Sequence, residues 1–146
     1  MKNSLFNSGK YYDLFYKDKD YKAEATSVHQ KLIENKVTGK RLLELGCGTG
    51  KHAKILSQFG YKILGIEKSL AMINSAQEVE NFECIQGDIR NIKLREEFDS
   101  VISLFHVMSY QTSNESVVSV LNTAYNSLKK NGLFLFDIWY APAVIH

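Results

Sequence analysis

Three glycines stand on alternate positions in Leu42-Leu43-Glu44-Leu45-Gly46-Cys47-Gly48-Thr49-Gly50, and a helical pattern, Lys51-His52-Ala53-Lys54-Ile55-Leu56, follows at once. An apolar run that ends this way reads as a strand, a tight turn and a helix N-terminus, the layout of a nucleotide-type pocket. Glycine there permits left-handed backbone or lets a ligand lie against bare main chain. The unpaired N–H groups of the first helical turn favour a negative group beside them. A glycine-rich loop alone marks only a turn, and it is the acids downstream that give it meaning. Glu67 follows Gly50 by 17 residues, about the spacing of a carboxylate that accepts hydrogen bonds from both ribose hydroxyls. Asp88 closes a later apolar segment, placed to accept from an exocyclic amine such as adenine N6. Ile66, Met72 and Ile89 are positioned to sandwich the ring, and Phe105-His106 ends a fourth apolar segment.

The elements that must hold these groups alternate in type. The pattern Ala25, Val28, Leu32, Ile33 predicts a helix from Tyr21 to Lys36. Thr38-Gly39-Lys40 then turns into a first strand, Arg41 to Leu45. The helix after the glycine loop runs to about Phe59 and stops at Gly60. Tyr61 to Glu67 is a second strand, Ser69 caps a helix through about Glu78, and Phe82 to Gln86 is a short third strand. Phe98 to Phe105 is a fourth strand, apolar almost throughout, as a strand covered on both faces should be. Thr112-Ser113-Asn114-Glu115 has the spacing of a capping box and opens a helix bearing Val117, Val118, Val120, Leu121, Ala124, Tyr125 and Leu128. Asn131-Gly132 stops it, and Leu133 to Trp139 is a fifth strand. The fold class is therefore α/β: a doubly wound, Rossmann-like parallel sheet of order 3-2-1-4-5 with right-handed crossovers. In such a sheet the glycine loop, Glu67, Asp88 and Phe105-His106 converge on one crevice at the strand ends.

Composition narrows the classes. The 146 residues suffice for one domain with one core. Hydrophobic residues make up 45% and charged residues 23%, ordinary for a globular protein, and a net charge of +2 with no basic block argues against nucleic acid. No apolar run approaches the ~20 residues that span a bilayer, so no membrane partner is expected. Two cysteines, Cys47 and Cys84, read as reduced thiols of a cytoplasmic protein, with nothing local to suggest that they pair. His29 reads as a helix-surface residue and His52 as an early helix position, and no set of histidines has metal-ligand spacing. The aromatic stretch Phe6, Tyr11, Tyr12, Phe15, Tyr16 and Tyr21 is either core packing or a lid over the pocket.

Two nucleotide ligands compete for the crevice. A dinucleotide fold wants G-x-G-x-x-G, whereas the third glycine here comes one position early, and Asp88 has no standard role with NAD. S-adenosylmethionine, which needs adenine, ribose and a zwitterionic tail held, fits better. Glu44 to Gly50 resembles motif I of the class I S-adenosylmethionine-dependent methyltransferases. Tyr12-Asp13, Lys19-Asp20-Tyr21, Cys47 to His52, Glu67 to Met72, Gly87 to Arg90 and Asp137 to Pro142 resemble, more narrowly, the small-molecule N-methyltransferases that act on nucleotide-linked amino sugars.

The resemblance implies residue roles. Tyr12 and Tyr21 would close over the methionine end of the cofactor. Gly46, Cys47 and Gly48, following the motif's Glu44, would line that end with main chain. Glu67 would take the ribose, Lys68 and Met72 would flank adenine, and Asp88 with Ile89 would hold its edge. Leu104 and Phe105 would sit near the sulfonium, and Tyr110 near the acceptor sugar. A hydroxyl acceptor would want a base, for which His106 is the histidine in place, whereas an amine needs only to be neutral. Residues 1–146 then form one methyltransferase domain, 1–38 an aromatic lid and helix and 39–146 the cofactor-binding core. Its acceptor would be a small molecule of the nucleotide-linked sugar kind.

There are departures from the family pattern. Tyr110 stands where histidine is common, His106 where a small residue follows the strand-four Phe, and Asp137-Ile138-Trp139 where Glu-Pro-Trp is common. The resemblance covers about the first three fifths of a family domain, so the usual final antiparallel strands are expected to be lacking. The fifth strand would then be an apolar edge, which predicts a deliberately shortened chain, a second polypeptide or a homodimer through that edge. The alternatives to an enzyme are a non-catalytic cofactor-binding module needing a partner and, less favoured, an oxidoreductase, for which the Tyr-x-x-x-Lys pairing beside strand four is absent.

Overall fold

The computed structural model describes residues 19–138. Expectations for Tyr12, for the other aromatic residues before Lys19, and for Trp139 onward lie outside the described residues. The elements run α1 (Tyr21–Glu34), β1 (Arg41–Leu45), α2 (Lys51–Gln58), β2 (Lys62–Glu67), α3 (Leu70–Ser75), β3 (Phe82–Gln86), β4 (Phe98–Ser103), a 3₁₀ turn (Val107–Tyr110), α4 (Asn114–Ser127) and β5 (Leu128–Phe136). The five strands are parallel, in the order β3-β2-β1-β4-β5.

Alternation along the strands sorts side chains onto two faces. Leu42, Ile63 and Ile102 pack with Ala25, Val28 and Leu32 of α1 and with Ala53 and Leu56 of α2. Leu43, Leu45, Ile66 and Val101 pack on the other face with Val120 and Ala124 of α4. The same period places Glu44 on the Leu42 face, under α2. Truncating a fully buried residue such as Leu42 to alanine should cost about 2–5 kcal/mol.

Three helix starts are fixed by side chains. Asp20 accepts the Ala23 amide, Ser69 the Met72 amide and Ser113 the Ser116 amide, each cap contributing about 1 kcal/mol. Several boundaries differ from those expected, α1 ending at Glu34 rather than Lys36 and β5 at Phe136 among them. The cap before α4 is Ser113, so Glu115 falls too early in the turn to close a capping box from Thr112. Helix α3 ends at Ser75 rather than near Glu78, where Ala76 turns to extended backbone. Strand β4 stops at Ser103, two residues before Phe105. Asn131-Gly132 does not stop α4. The helix ends at Ser127, Leu128 already pairs with Phe98, and Asn131 (φ 65°) marks an irregularity inside β5 that shifts the register between Phe98 and Ser100. Among the described residues no helix is long and apolar enough to cross a membrane.

Candidate active site

The turn after β1 folds back on β2: the Gly46 and Cys47 amides both donate to the Ile66 carbonyl, at 2.8 and 3.1 Å. Gly46 has φ 76°, and a Cβ built there would lie 2.8 Å from Val107, so only glycine lets the 3₁₀ turn close on the loop. The loop then offers its Gly48 amide to Glu67 Oε2 at 2.8 Å. Glu67 Oε1 accepts the Lys68 and Ser69 amides, each at 3.0 Å. A carboxylate has about four acceptor positions, so these three bonds leave one, on Oε2, where the spacing predicts contacts to both ribose hydroxyls.

Asp88, at the end of β3, is gripped by Arg90. The guanidinium donates to Oδ1 at 3.0 Å through Nε and to Oδ2 at 2.7 Å through a terminal nitrogen, and the Arg90 amide donates to Oδ1 at 2.9 Å. These bonds hold the carboxyl well below its usual range, at about 2, so Asp88 is a fixed anion at neutral pH.

Glu67 and Asp88 share a cleft of about 690 Å³. Of the residues expected at the site, Tyr21, Gly46, Cys47, Gly48, Glu67, Lys68, Met72, Asp88, Ile89, Leu104, Phe105 and Tyr110 line it. Thr49, Lys51, His52, Ile66, Gly87, Arg90, Val107 and Gln111 complete the lining. Of these additional residues, only Ile66 is expected as a wall from the sequence. Glu44 and His106 are not among the lining residues, and Tyr12 lies outside the described residues.

Glu44 is fully buried behind the loop. Its Oε2 has no hydrogen-bond partner among the described residues, and Oε1 is 3.9 Å from His52 Nδ1. Burial first, then the nearby Cys84 and Glu67, push its carboxyl up to about 8. His52 is buried rather than merely early in its helix, and its Nε2 donates to Glu24 Oε2 at 2.6 Å. Lys19 Nζ donates to Glu24 Oε1, also at 2.6 Å, and sits 3.8 Å over the Phe105 ring. A chain of polar contacts thus runs from α2 across the start of α1 to the cleft wall. His29, half-buried on the helix surface where it is expected, stacks on Phe59 at 4.4 Å and meets the Tyr61 hydroxyl at 2.9 Å.

The two cysteines are free thiols, yet they touch, Sγ to Sγ at 3.2 Å. Gly65 makes this contact: it pairs in register with Cys84, and a Cβ on it would lie 2.5 Å from the Cys47 sulfur. The sequence carried no local sign of the meeting because β2 lies between the two residues.

After β4 the chain turns through two successive left-handed residues, Phe105 and His106, both with φ 62°. The Asp137 carboxylate accepts both amides, Phe105 at 2.9 Å and His106 at 2.6 Å. The cleft therefore offers a fixed carboxylate to a hydroxyl, a second to an amine, apolar walls to a ring, and exposed Tyr110 at its rim. Among the described residues no group of three or more His, Cys, Asp or Glu side chains is arranged to hold a metal ion.

Comparison with known proteins converges on one kind of relative. A family model described as a methyltransferase domain matches residues 42–132. A dTDP-3-amino-3,4,6-trideoxy-alpha-D-glucopyranose N,N-dimethyltransferase of Streptomyces venezuelae is 28% identical over 134 residues, 90% of this chain and 56% of that protein. The crystal structure of Streptomyces venezuelae DesVI matches with a TM-score of 0.82 at 29% identity, covering 91% of this chain and 58% of that one. The sugar N-methyltransferase KedS8 from Streptoalloteichus matches with a TM-score of 0.81 at 29% identity, covering 91% and 55%. The chain spans about half the length of the curated relatives it matches.

Proposed function

The chain belongs to the methyltransferase domain family, and from that premise we propose that it holds S-adenosylmethionine for methyl transfer to the amine of a small sugar-like metabolite. The observation that carries this reading is the juxtaposition of Gly48, Glu67 and Asp88 in one cleft. The residues present suit the cofactor. Glu67 keeps one acceptor position for a ribose hydroxyl, Asp88 is ionised for the adenine amine, and Ile66, Met72 and Ile89 supply apolar surface for the base. A Cβ built on Gly48 meets nothing within 4 Å, so the main chain there borders open space.

When bound, the cofactor supplies a methyl group on a sulfonium that needs no further activation. The task left to this chain is to orient an acceptor and exclude water. The apolar faces of Leu104 and Phe105 exclude water from one wall, and Tyr110 at the rim is placed to meet the acceptor. An amine attacks in its neutral form, so no strong base is needed. With an amine as acceptor, His106, set back from the lining, shapes the wall rather than taking a proton. Support for an amino sugar comes from the names of the relatives.

The test is calorimetric binding of S-adenosylmethionine, followed by mass spectrometry of methyl transfer to nucleotide-linked amino sugars and to their hydroxyl analogues. Transfer to the amine alone supports the reading. Transfer to the hydroxyl alone, falling off as His106 is replaced by alanine, replaces it with base-assisted O-methylation.

A further inference from the structure

The cleft wall contributed by the β4 exit is held from a strand that does not itself line the cleft. Phe105 and His106 both adopt the left-handed conformation that side chains with a Cβ rarely take. Their two amides point the same way, and one carboxylate, that of Asp137, receives both, through Oδ2 at 2.9 Å and Oδ1 at 2.6 Å. Successive amides converging on an anion form a nest, and bonds of this kind are the stronger, charge-assisted sort. Asp137 is itself fixed, because its amide donates to the Ser103 carbonyl at 3.3 Å and extends the ladder in which Ser103 pairs with Phe136. What the clamp positions is specific. It sets Phe105 in the cleft lining beneath the Lys19 ammonium, and it launches the 3₁₀ turn that brings Val107 against Gly46 and Tyr110 to the rim.

We propose that Asp137 is a positioning residue for methyl transfer: its carboxylate holds the Phe105–His106 turn in its left-handed form and so sets the wall against which the acceptor is aimed. This rests on the function proposed above. Asp137 is not among the residues lining the cleft, so its loss should act more on turnover than on cofactor binding.

Asp137→Asn keeps the shape but loses the charge and one acceptor. Its kcat should fall by roughly 10- to 100-fold, the scale of a lost charge-assisted hydrogen bond, with affinity for S-adenosylhomocysteine changed less than about threefold. Asp137→Glu, which restores a carboxylate, should recover part of the rate, as a purely space-filling role would not allow. The clamp also has a signature independent of turnover. In ¹⁵N-resolved spectra the Phe105 and His106 amide protons should lie downfield in the unsubstituted protein and move upfield in D137N. D137N with unchanged kcat, or with unmoved amide resonances, overturns the proposal. So does a variant whose binding and turnover fall together with its melting temperature. Failure of the functional reading looks different: the unsubstituted protein then takes up no S-adenosylhomocysteine, and the amide resonances by themselves uphold or overturn the clamp.

Discussion

His52 Nε2 donates to Glu24 Oε2 at 2.6 Å, a polar tie between α1 and the helix that starts at the glycine loop, beside their packed apolar faces. The bond from His52, with help from Lys19, holds the Glu24 carboxyl at about 2, below its ordinary 4.5. A carboxyl depressed in the fold gives stability that is complete above its unfolded value and is lost as the pH falls through its folded one. The contribution of Glu24 should therefore fade between pH 4.5 and 2. With the side chain 38% exposed, it is worth about 1 kcal/mol or less. Melting temperature followed against pH should show Glu24→Gln converging on the unsubstituted protein at the acid end and lying below it at neutral pH. Parallel curves would remove the ion pair from the account.

Glu44 runs in the opposite sense. Burial favours its protonated form, so its effect on stability is absent below pH 4.5 and grows into a loss as the pH rises toward 8. Glu44→Gln should flatten that slope and stabilise the ligand-free protein at pH 8 on the order of 1–3 kcal/mol. Denaturant midpoints at pH 5 and pH 8 check this, and a variant less stable at both values contradicts it.

The touching thiols should differ in reactivity. The Cys47 hydrogen bond lowers the Cys84 thiol, while the contact with Cys84 and burial raise that of Cys47. Limited alkylation with iodoacetamide, read by peptide mass spectrometry, should mark Cys84 first, because the thiolate is the attacking form. Equal or reversed labelling would show that the assignment of donor and acceptor in this pair is wrong.

The sheet order could be read in advance because strand and helix patterns alternate and each strand end carries a distinct residue, from Gly46 to Glu67 to Asp88. The glycine loop, Glu67, Asp88, Ile66, Met72 and Ile89 followed from the same placement, whereas Tyr21, Lys68, Leu104 and Tyr110 rested on the family resemblance. What escaped was made by contacts between distant parts of the chain. Phe105 looks like the end of an apolar strand, and nothing local signals its left-handed backbone or the bond of its amide to Asp137, far along the chain. Asn131-Gly132 has the composition of a helix stop, but Leu128 pairs with Phe98 and Lys129 reaches Asp99 at 3.2 Å, so the chain is already a strand there. His52 and Glu24 carry no mutual signal in sequence, because their meeting depends on how α1 packs against α2.

The central claim is that the cleft between the glycine loop, Glu67 and Asp88 binds S-adenosylmethionine, and calorimetric titration with S-adenosylhomocysteine tests it most directly. Saturable binding to one site is expected, weakened in Glu67→Ala by about 1.5–3 kcal/mol, roughly 10- to 100-fold, as for hydrogen bonds to a charged group. Absence of binding to the unsubstituted protein, or equal affinity in Glu67→Ala, would contradict it.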